Sequence, residues 1–253
     1  MRNPFSLGRW FGALGLAVLC SAVPDTYARS QDLPPVCRED AMIVFDASGS
    51  MAGNEKLGIA TTVTRIDNVR KALSQVLPRV EHLRRIGLIT YGPGPYNRCD
   101  NIALAFPPLP EAGSRILSVV NALVPAGRTP LTAAVAHAAE MLDYRSKPGV
   151  IVLVTDGEET CGGSPCSLAK QLKAAAAQLT IHVIGYRMKE FSWTGGNSSF
   201  EAQCLTRETG GHYIGVETTE QLVAALHKTL GCPLLTELPT SKRSGEAQSV
   251  DAR

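Results

Sequence analysis

The stretch VFDASGSM, residues 44–51, decides how the rest of the chain is interpreted. Its apolar start is typical of a buried strand. Its second half places an acid, Asp46, and two hydroxyls, Ser48 and Ser50, around a glycine. Oxygen-bearing side chains at the end of a strand form either a hydrogen-bonded turn or part of a site for a hard metal ion. Other segments have to distinguish these two possibilities.

Residues 1–28 have the pattern of a secretory signal peptide. Arg2 and Arg9 precede an apolar run over 11–23, and small residues close the segment at Ala28. The run is shorter than the roughly 20 residues of a membrane-spanning helix. We therefore expect an exported protein, periplasmic or secreted, that has no stable membrane span after signal cleavage.

The remaining chain has the length of one domain with short extensions. Residues 29–40 contain Pro34-Pro35 and predict a linker, 41–232 predict one folded domain, and 233–253 predict a polar, disordered tail. The net charge is only +2, and no block of basic residues stands out. This composition argues against a nucleic-acid partner.

Strands and helices are predicted to alternate along the domain. Short runs rich in Val and Ile are typical of strands buried on both faces. The predicted strands cover residues 41–46, 86–91, 101–106, 149–155, 179–185 and 212–216. The predicted helices cover 65–77, 114–123, 130–142, 167–178, 200–208 and 219–230. This order predicts a doubly wound α/β fold: a mostly parallel six-stranded sheet with one antiparallel edge strand, covered by helices on both faces.

The cysteines agree with export. The chain has 7 cysteines, and one of them, Cys20, lies in the signal segment. An even number of cysteines in an exported domain predicts disulfides. A zinc–thiolate site is the weaker alternative, because the sequence has no CxxC and no histidine at ligand-like spacing. From the predicted topology we expect the pair Cys37–Cys232. We expect Cys161 and Cys166 to close the short CGGSPC loop, which leaves Cys99–Cys204 by elimination.

Three loops are expected to meet at one edge of the sheet. In an open α/β sheet, ligands bind where loops at the carboxyl ends of neighbouring strands converge. The segments DASGS, GRTPL and TDGEET would bring together five oxygen-bearing side chains there: Asp46, Ser48, Ser50, Thr129 and Asp156. Carboxylates, hydroxyls and water suit Mg²⁺, with Mn²⁺ and Ca²⁺ as alternatives.

Each of these residues also has an ordinary structural explanation. Asp46 and Ser48 could form a turn, Thr129 could cap the helix that follows it, and Asp156-Gly157 is a common turn pair. The acids Glu158 and Glu159 are interpreted as solvated loop residues. The combination of three loops in the right order favours the metal site over separate turns and caps.

At this point the chain resembles the von Willebrand factor type A family. The resemblance is carried by DASGS, the TP of GRTPL and the TDG of TDGEET, which are similar to that family's metal-ion-dependent adhesion site. It implies a strand order of three-two-one-four-five-six. It implies that Ser48, Ser50 and Thr129 bind the ion directly, that Asp46 and Asp156 act through water, and that one position stays open for a partner's acid. The segments DGEETCGGSPC and QC…TGG further resemble small exported bacterial members.

The expected function is therefore metal-dependent protein binding outside the cytoplasm, with an acidic residue of the partner completing the coordination. The alternative is a structural subunit of an envelope assembly in which the ion serves folding alone. An enzyme is not expected, because GxSxG, HExxH and GxGxxG motifs are absent. A hydrolase using Glu158 or Glu159 as a base is a distant third choice. The signal peptide disfavours a subunit of a cytosolic metal-inserting ATPase.

Overall fold

The computed structural model of the protein describes residues 37–57, 61–188 and 198–232. The expected signal peptide, the tail at 233–253 and the linker residues before 37 lie outside this part of the chain. Within the described ranges, no helix combines the length and the apolarity needed to cross a membrane.

A six-stranded sheet forms the centre of the domain. Its strands are β1 Asp40–Asp46, β4 Ile86–Tyr91, β5 Ile102–Leu109, β6 Pro148–Thr155, β7 Gln178–Tyr186 and β8 Tyr213–Val216. Their spatial order is β5-β4-β1-β6-β7-β8. Neighbouring strands are parallel except for β5, which pairs antiparallel with β4 at one edge. The predicted fold class and strand order are confirmed.

In the described part of the chain, six α-helices cover the two faces of the sheet. They are α1 Arg65–Val80, α2 Gly113–Ala122, α3 Leu131–Met141, α4 Pro165–Ala175, α5 Ser198–Thr209 and α6 Thr219–Leu230. Alternate residues of β1 face opposite sides, so Ile43 and Phe45 pack with α1, α2 and α6. Met42 and Val44 pack with α3, α4 and α5. Burial on both faces explains why the central strands are apolar throughout.

The observed end of helix α1 differs from the predicted one. The helix predicted over residues 65–77 stops before Pro78, yet α1 continues to Val80 with Pro78 inside its last turn. A proline there removes one helical hydrogen bond. Leu77 and Val80 are completely buried against the core, and this burial stabilises the additional turn.

A two-stranded hairpin precedes α1 and was not predicted from the sequence. Strands β2, Asn54–Leu57, and β3, Thr61–Thr64, pair antiparallel between the DASGS turn and α1. The backbone N–H of Arg65 donates to the carbonyl of Gly53 at 3.1 Å, which closes the base of the hairpin. The hairpin therefore leaves from and returns to the carboxyl edge of the sheet.

Three disulfides join the described cysteines. Cys37 pairs with Cys232, as the sequence suggested, with a Cα–Cα distance of 5.3 Å. The other predicted pairs, Cys161–Cys166 and Cys99–Cys204, are wrong, because the structure joins Cys99 to Cys161 and Cys166 to Cys204.

The helix positions account for this correction. Cys166 lies in the first turn of α4, and α4 packs against α5, which carries Cys204. Cys161 remains in the loop after β6, beside the loop after β4 that carries Cys99. Pairing Cys99 with Cys204 would have required a bond between opposite halves of the sheet.

Candidate functional site

Asp46 joins the ends of two neighbouring strands. It is the last residue of β1 and is completely buried. Its Oδ1 accepts a hydrogen bond from the backbone N–H of Ser48 at 2.7 Å, and its Oδ2 accepts one from Oγ1 of Thr155 at 2.7 Å. Thr155 ends β6, which pairs with β1. Asp46 therefore shapes the turn that follows it and fixes that turn to β6.

A chain of hydroxyl and carboxylate contacts leads outward from this turn. The Oγ atoms of Ser48 and Ser50 lie 3.0 Å apart. Oγ of Ser50 donates to Oδ1 of Asp156 at 2.6 Å. Ser48 and Asp156 are buried, whereas Ser50 is exposed. Oxygens from the first and third predicted segments are thus in direct contact at the carboxyl edge.

The loop carrying Thr129 lies between these two segments. The backbone N–H of Gly49 donates to the carbonyl of Gly127 at 2.9 Å, on the side of the DASGS turn. On the other side, the backbone N–H of Thr129 donates to Oγ1 of Thr160 at 2.8 Å, and the N–H of Thr160 donates to the carbonyl of Thr129 at 3.1 Å. Thr129 is buried. Asp46 at the end of β1 and the other four predicted residues, which lie on the following loops, therefore belong to segments that contact one another.

Thr129 does not cap α3, contrary to its ordinary structural explanation. The helix starts at Leu131, and the capping position is occupied by Pro130 without a side-chain hydrogen bond. The start of α3 is instead held from another loop, because Oε2 of Glu159 accepts the backbone N–H of Thr132 at 2.7 Å. An acid at this position also interacts favourably with the positive end of the helix dipole.

Glu158 and Glu159 differ in their surroundings. Glu158 is exposed, as expected of a solvated loop acid. Glu159 is not, because its Oε1 also accepts the backbone N–H of Cys161 at 2.7 Å. Glu159 thereby braces the loop after β6, and the expectation that it is a solvated loop acid is wrong.

Two glycines allow the loops to approach closely. Gly92 has a positive φ of +100°, and a Cβ there would lie 2.2 Å from the backbone nitrogen of Ser48. A Cβ on Gly127 would lie 2.5 Å from the carbonyl oxygen of Gly92. The N–H of Gly127 donates to that same oxygen at 2.6 Å. A side chain at Gly92 would collide with the DASGS turn, and a side chain at Gly127 would push its loop away from Gly92.

The site carries more negative than positive charge. Burial, and then the charge of Asp156, raise the pKa of Asp46 to about 6, although hydrogen bonds from Ser48 and Thr155 oppose the shift. One positive charge contacts these two acids, since Nη1 of Arg65 lies 2.7 Å from Oδ2 of Asp156. Two buried carboxylates beside hydroxyl oxygens suit a hard divalent cation. The donor set therefore fits such an ion.

Among the described residues, no group of three or more His, Cys, Asp or Glu side chains is placed to hold a metal ion. A site here would depend on serine and threonine hydroxyls in addition to two acids.

Comparison with known proteins shows what the domain is similar to. Residues 41–159 match the family model described as von Willebrand factor type A domain. Over these residues the chain is similar to that family, and its sheet has the von Willebrand factor A-like fold. The match begins just before the DASGS turn and ends just after the TDG segment.

Relatives and solved structures extend this similarity. The uncharacterized protein YwmD of Bacillus subtilis (strain 168) is 26% identical over 230 residues, which cover 86% of this chain and 94% of YwmD. The pilus adhesin SpaC from Lactobacillus rhamnosus GG aligns with a TM-score of 0.58 at 15% identity, over 79% of this chain and 30% of SpaC. This chain thus spans less than a third of SpaC.

A mussel protein offers a further comparison. Proximal thread matrix protein 1 from the mussel byssus, with a zinc-occupied MIDAS motif (metal-ion-dependent adhesion site), aligns with a TM-score of 0.52 at 16% identity. The alignment covers 78% of this chain and 48% of the mussel protein. At these identities the solved structures support the shared fold.

Sequence reasoning missed three side chains around the site, Arg65, Thr155 and Thr160, and it misassigned Glu159. Thr155 and Thr160 are the first and last residues of TDGEET and could have been included as hydroxyl-bearing residues. Arg65 offered no signal, because it lies 91 residues from its partner Asp156 and follows an unpredicted hairpin.

Proposed function

We propose that the chain is an extracytoplasmic protein-binding module whose type A domain uses a divalent ion to bind an acidic residue of a partner. The observation that carries this proposal is the pair of buried acids, Asp46 and Asp156, beside hydroxyls at the carboxyl edge, with one guanidinium in contact with Asp156. The family resemblance assigns direct contact with the ion to Ser48, Ser50 and Thr129. It assigns water-mediated contact to the two acids.

The chemistry favours capture of an anion over hydrolysis. An ion held mainly by neutral hydroxyls keeps most of its positive charge and attracts a carboxylate. Mg²⁺ is the favoured ion, with Mn²⁺ and Ca²⁺ as alternatives. The mussel protein with a zinc-occupied MIDAS motif supports use of a divalent ion by this kind of site.

Exposed apolar side chains beside the site support a protein partner. Tyr96 is 78% exposed and Val124 is 73% exposed. Their loops pair through a bridge between Pro93 and Pro125, next to the glycines that contact the DASGS turn. Aromatic side chains at exposed positions are enriched in protein interfaces. The pilus adhesin named above supports an adhesive role outside the cell.

The test is capture of envelope proteins on the immobilised chain in Mg²⁺, with and without a chelator, together with calorimetric titration of Mg²⁺ and Mn²⁺. We expect capture and ion binding to be lost together in Asp46→Asn. The matched control is Asp40→Asn, at the opposite end of the same strand, where the acid makes an exposed ion pair with Arg85 at 3.4 Å. Asp40→Asn should leave both unchanged.

Two outcomes contradict the proposal. If the wild type binds no divalent ion at millimolar concentration, the proposed function is wrong. If chelation lowers thermal stability but leaves capture unchanged, the ion serves folding alone, and the chain is a structural subunit.

A further inference from the structure

Arg65 is held in a fixed position beside the site. It is the first residue of α1, directly after the capping residue Thr64, whose side chain and backbone exchange hydrogen bonds with Asp67 in a capping box. The backbone N–H of Arg65 also donates to Gly53 at the base of the hairpin. Helix cap and hairpin base together aim the guanidinium at the carboxyl edge of the sheet.

The guanidinium occupies one oxygen of a buried acid. Nη1 of Arg65 lies 2.7 Å from Oδ2 of Asp156, whose side chain is fully buried, while the arginine side chain is 25% exposed. The other oxygen of Asp156 accepts the hydroxyl of Ser50 at 2.6 Å. Both oxygens of Asp156 are therefore engaged by side chains of this chain.

This contact has two consequences that act in the same direction. A guanidinium stays protonated at every physiological pH, so Arg65 places a permanent positive charge near the position where a cation would bind. It also withholds Oδ2 of Asp156 from such a cation. Both effects weaken binding of a divalent ion, and both disappear when the guanidinium is removed.

We propose that Arg65 is a resident counter-charge that sets the affinity of the site for divalent ions, keeping it weaker than the two acids alone would make it. This inference rests on the proposed function, since it concerns the same site. Arg65 lies outside the three segments DASGS, GRTPL and TDGEET, and the inference assigns it a role in setting the affinity for the ion. Arg65 acts through Asp156 and through its charge, and it is a positioning residue.

The test compares three variants by calorimetric titration of Mg²⁺ and of Mn²⁺ alone, without a partner. Arg65→Gln removes the charge and should bind each ion roughly tenfold more tightly than the wild type. Arg65→Lys keeps the charge and should stay within about threefold of the wild type. The matched control is Arg79→Gln, an exposed arginine in the last turn of the same helix. Arg79 lies roughly 20 Å from Arg65 along the helix axis. Because salt screens charges over that distance, Arg79→Gln should bind the ions as the wild type does.

The dependence of ion affinity on salt concentration is a second measurement, and a purely structural role of Arg65 would not affect it. The gain in affinity of Arg65→Gln over the wild type should shrink as ionic strength rises, because charge repulsion between guanidinium and ion is screened. Thermal unfolding without ions checks that each variant is folded.

The outcomes separate this inference from the proposed function. If the wild type binds the ions and Arg65→Gln binds them equally or more weakly, the tuning role is wrong and the proposed function stands. Equal shifts in Arg65→Gln and Arg65→Lys would also overturn it, because charge would then not be the cause. If neither wild type nor Arg65→Gln binds, both proposals fail. Binding by Arg65→Gln alone would support the counter-charge.

Discussion

Oδ2 of Asp46 and Oγ1 of Thr155 are hydrogen-bonded at 2.7 Å across the ends of neighbouring parallel strands. This bond makes the first acid of the candidate site a structural residue as well. Asp46→Ala would leave the backbone N–H of Ser48 unpaired, and it would leave the hydroxyl of Thr155 with only the carbonyl of Gly157 as its acceptor, at 3.1 Å. An unpaired buried N–H costs about 1–3 kcal/mol.

The first prediction therefore separates charge from structure at Asp46. Asp46→Asn keeps one oxygen acceptor and removes the charge, so we expect it to fold and to lose binding of Mg²⁺ in calorimetry. Asp46→Ala should lose ion binding and also unfold at a lower temperature. Chemical denaturation of both variants, without ions, measures the difference. Equal stability of Asp46→Ala and wild type would show that the bonds to Ser48 and Thr155 contribute nothing.

The second prediction concerns Thr129. Because Pro130 occupies the capping position of α3 without a side-chain bond, removing the hydroxyl of Thr129 costs no helix cap. We expect Thr129→Ala to weaken ion binding while the free energy of unfolding changes by less than about 1 kcal/mol. Thr129→Ser retains the hydroxyl and should bind the ion nearly as the wild type does. A loss in Thr129→Ala no larger than in Thr129→Ser would remove Thr129 from the site.

The third prediction concerns the disulfide between Cys99 and Cys161. It closes a loop with a sequence separation of 62 and ties the loop after β4 to the loop after β6, which carries Asp156. Replacing both cysteines with serine should lower the free energy of unfolding by up to about 4 kcal/mol in the loop-entropy model. Denaturant unfolding measures this change.

Peptide mapping without reduction provides the control for this pairing. It should recover Cys99 with Cys161 and Cys166 with Cys204. Recovery of a peptide linking Cys161 to Cys166 would contradict the described loop arrangement.

The fourth prediction concerns pH and His182. Burial, and then the positive charges of His212, Arg84 and Lys228, lower the pKa of His182 from 6.5 to about 4. The neutral ring is also favoured because its Nδ1 accepts the backbone N–H of His212 at 3.0 Å. Between pH 6.5 and about 4 the unfolded chain gains a proton that the folded chain refuses. The free energy of unfolding therefore falls as pH drops through this window.

His182→Asn should remove this fall, which amounts to about 2 kcal/mol after allowing for partial solvent exposure of the ring. Asp46 has a raised pKa, so its contribution to the free energy of unfolding rises as pH falls and opposes that of His182. The measured quantity is therefore the difference in free energy of unfolding between variant and wild type at each pH. His82→Asn, at an exposed position, is the control and should follow the wild-type curve. Parallel curves for His182→Asn and wild type would contradict the assignment.

The sequence predicted those features that local signals determine. Apolar runs ending in turn residues placed β1 and β6 and the acids that follow them, Asp46 and Asp156. The helix predicted over residues 219–230 is found at Thr219–Leu230, where a capping box of Thr218 with Gln221 starts it and Gly231 follows its end. These features depend on residues near one another in the chain.

The features that were missed depend on tertiary contacts. Cys166 and Cys204 pair because α4 and α5 pack together, and no spacing rule encodes that packing. The ion pair of Arg65 with Asp156 joins residues distant in sequence. Helix α1 continues through Pro78 because the core buries Leu77 and Val80, which outweighs the local preference of proline.

The disulfide between Cys37 and Cys232 has a mechanical consequence. It joins the chain just before β1 to the chain just after α6, at the amino ends of the strands, and the candidate site lies at their carboxyl ends. Tension between the segments that flank the domain passes through this covalent bond and bypasses the sheet. Strand β1, which carries Asp46 at its far end, is therefore shielded from being pulled out. A load on those flanking segments leaves the loops around Ser48, Thr129 and Asp156 in place.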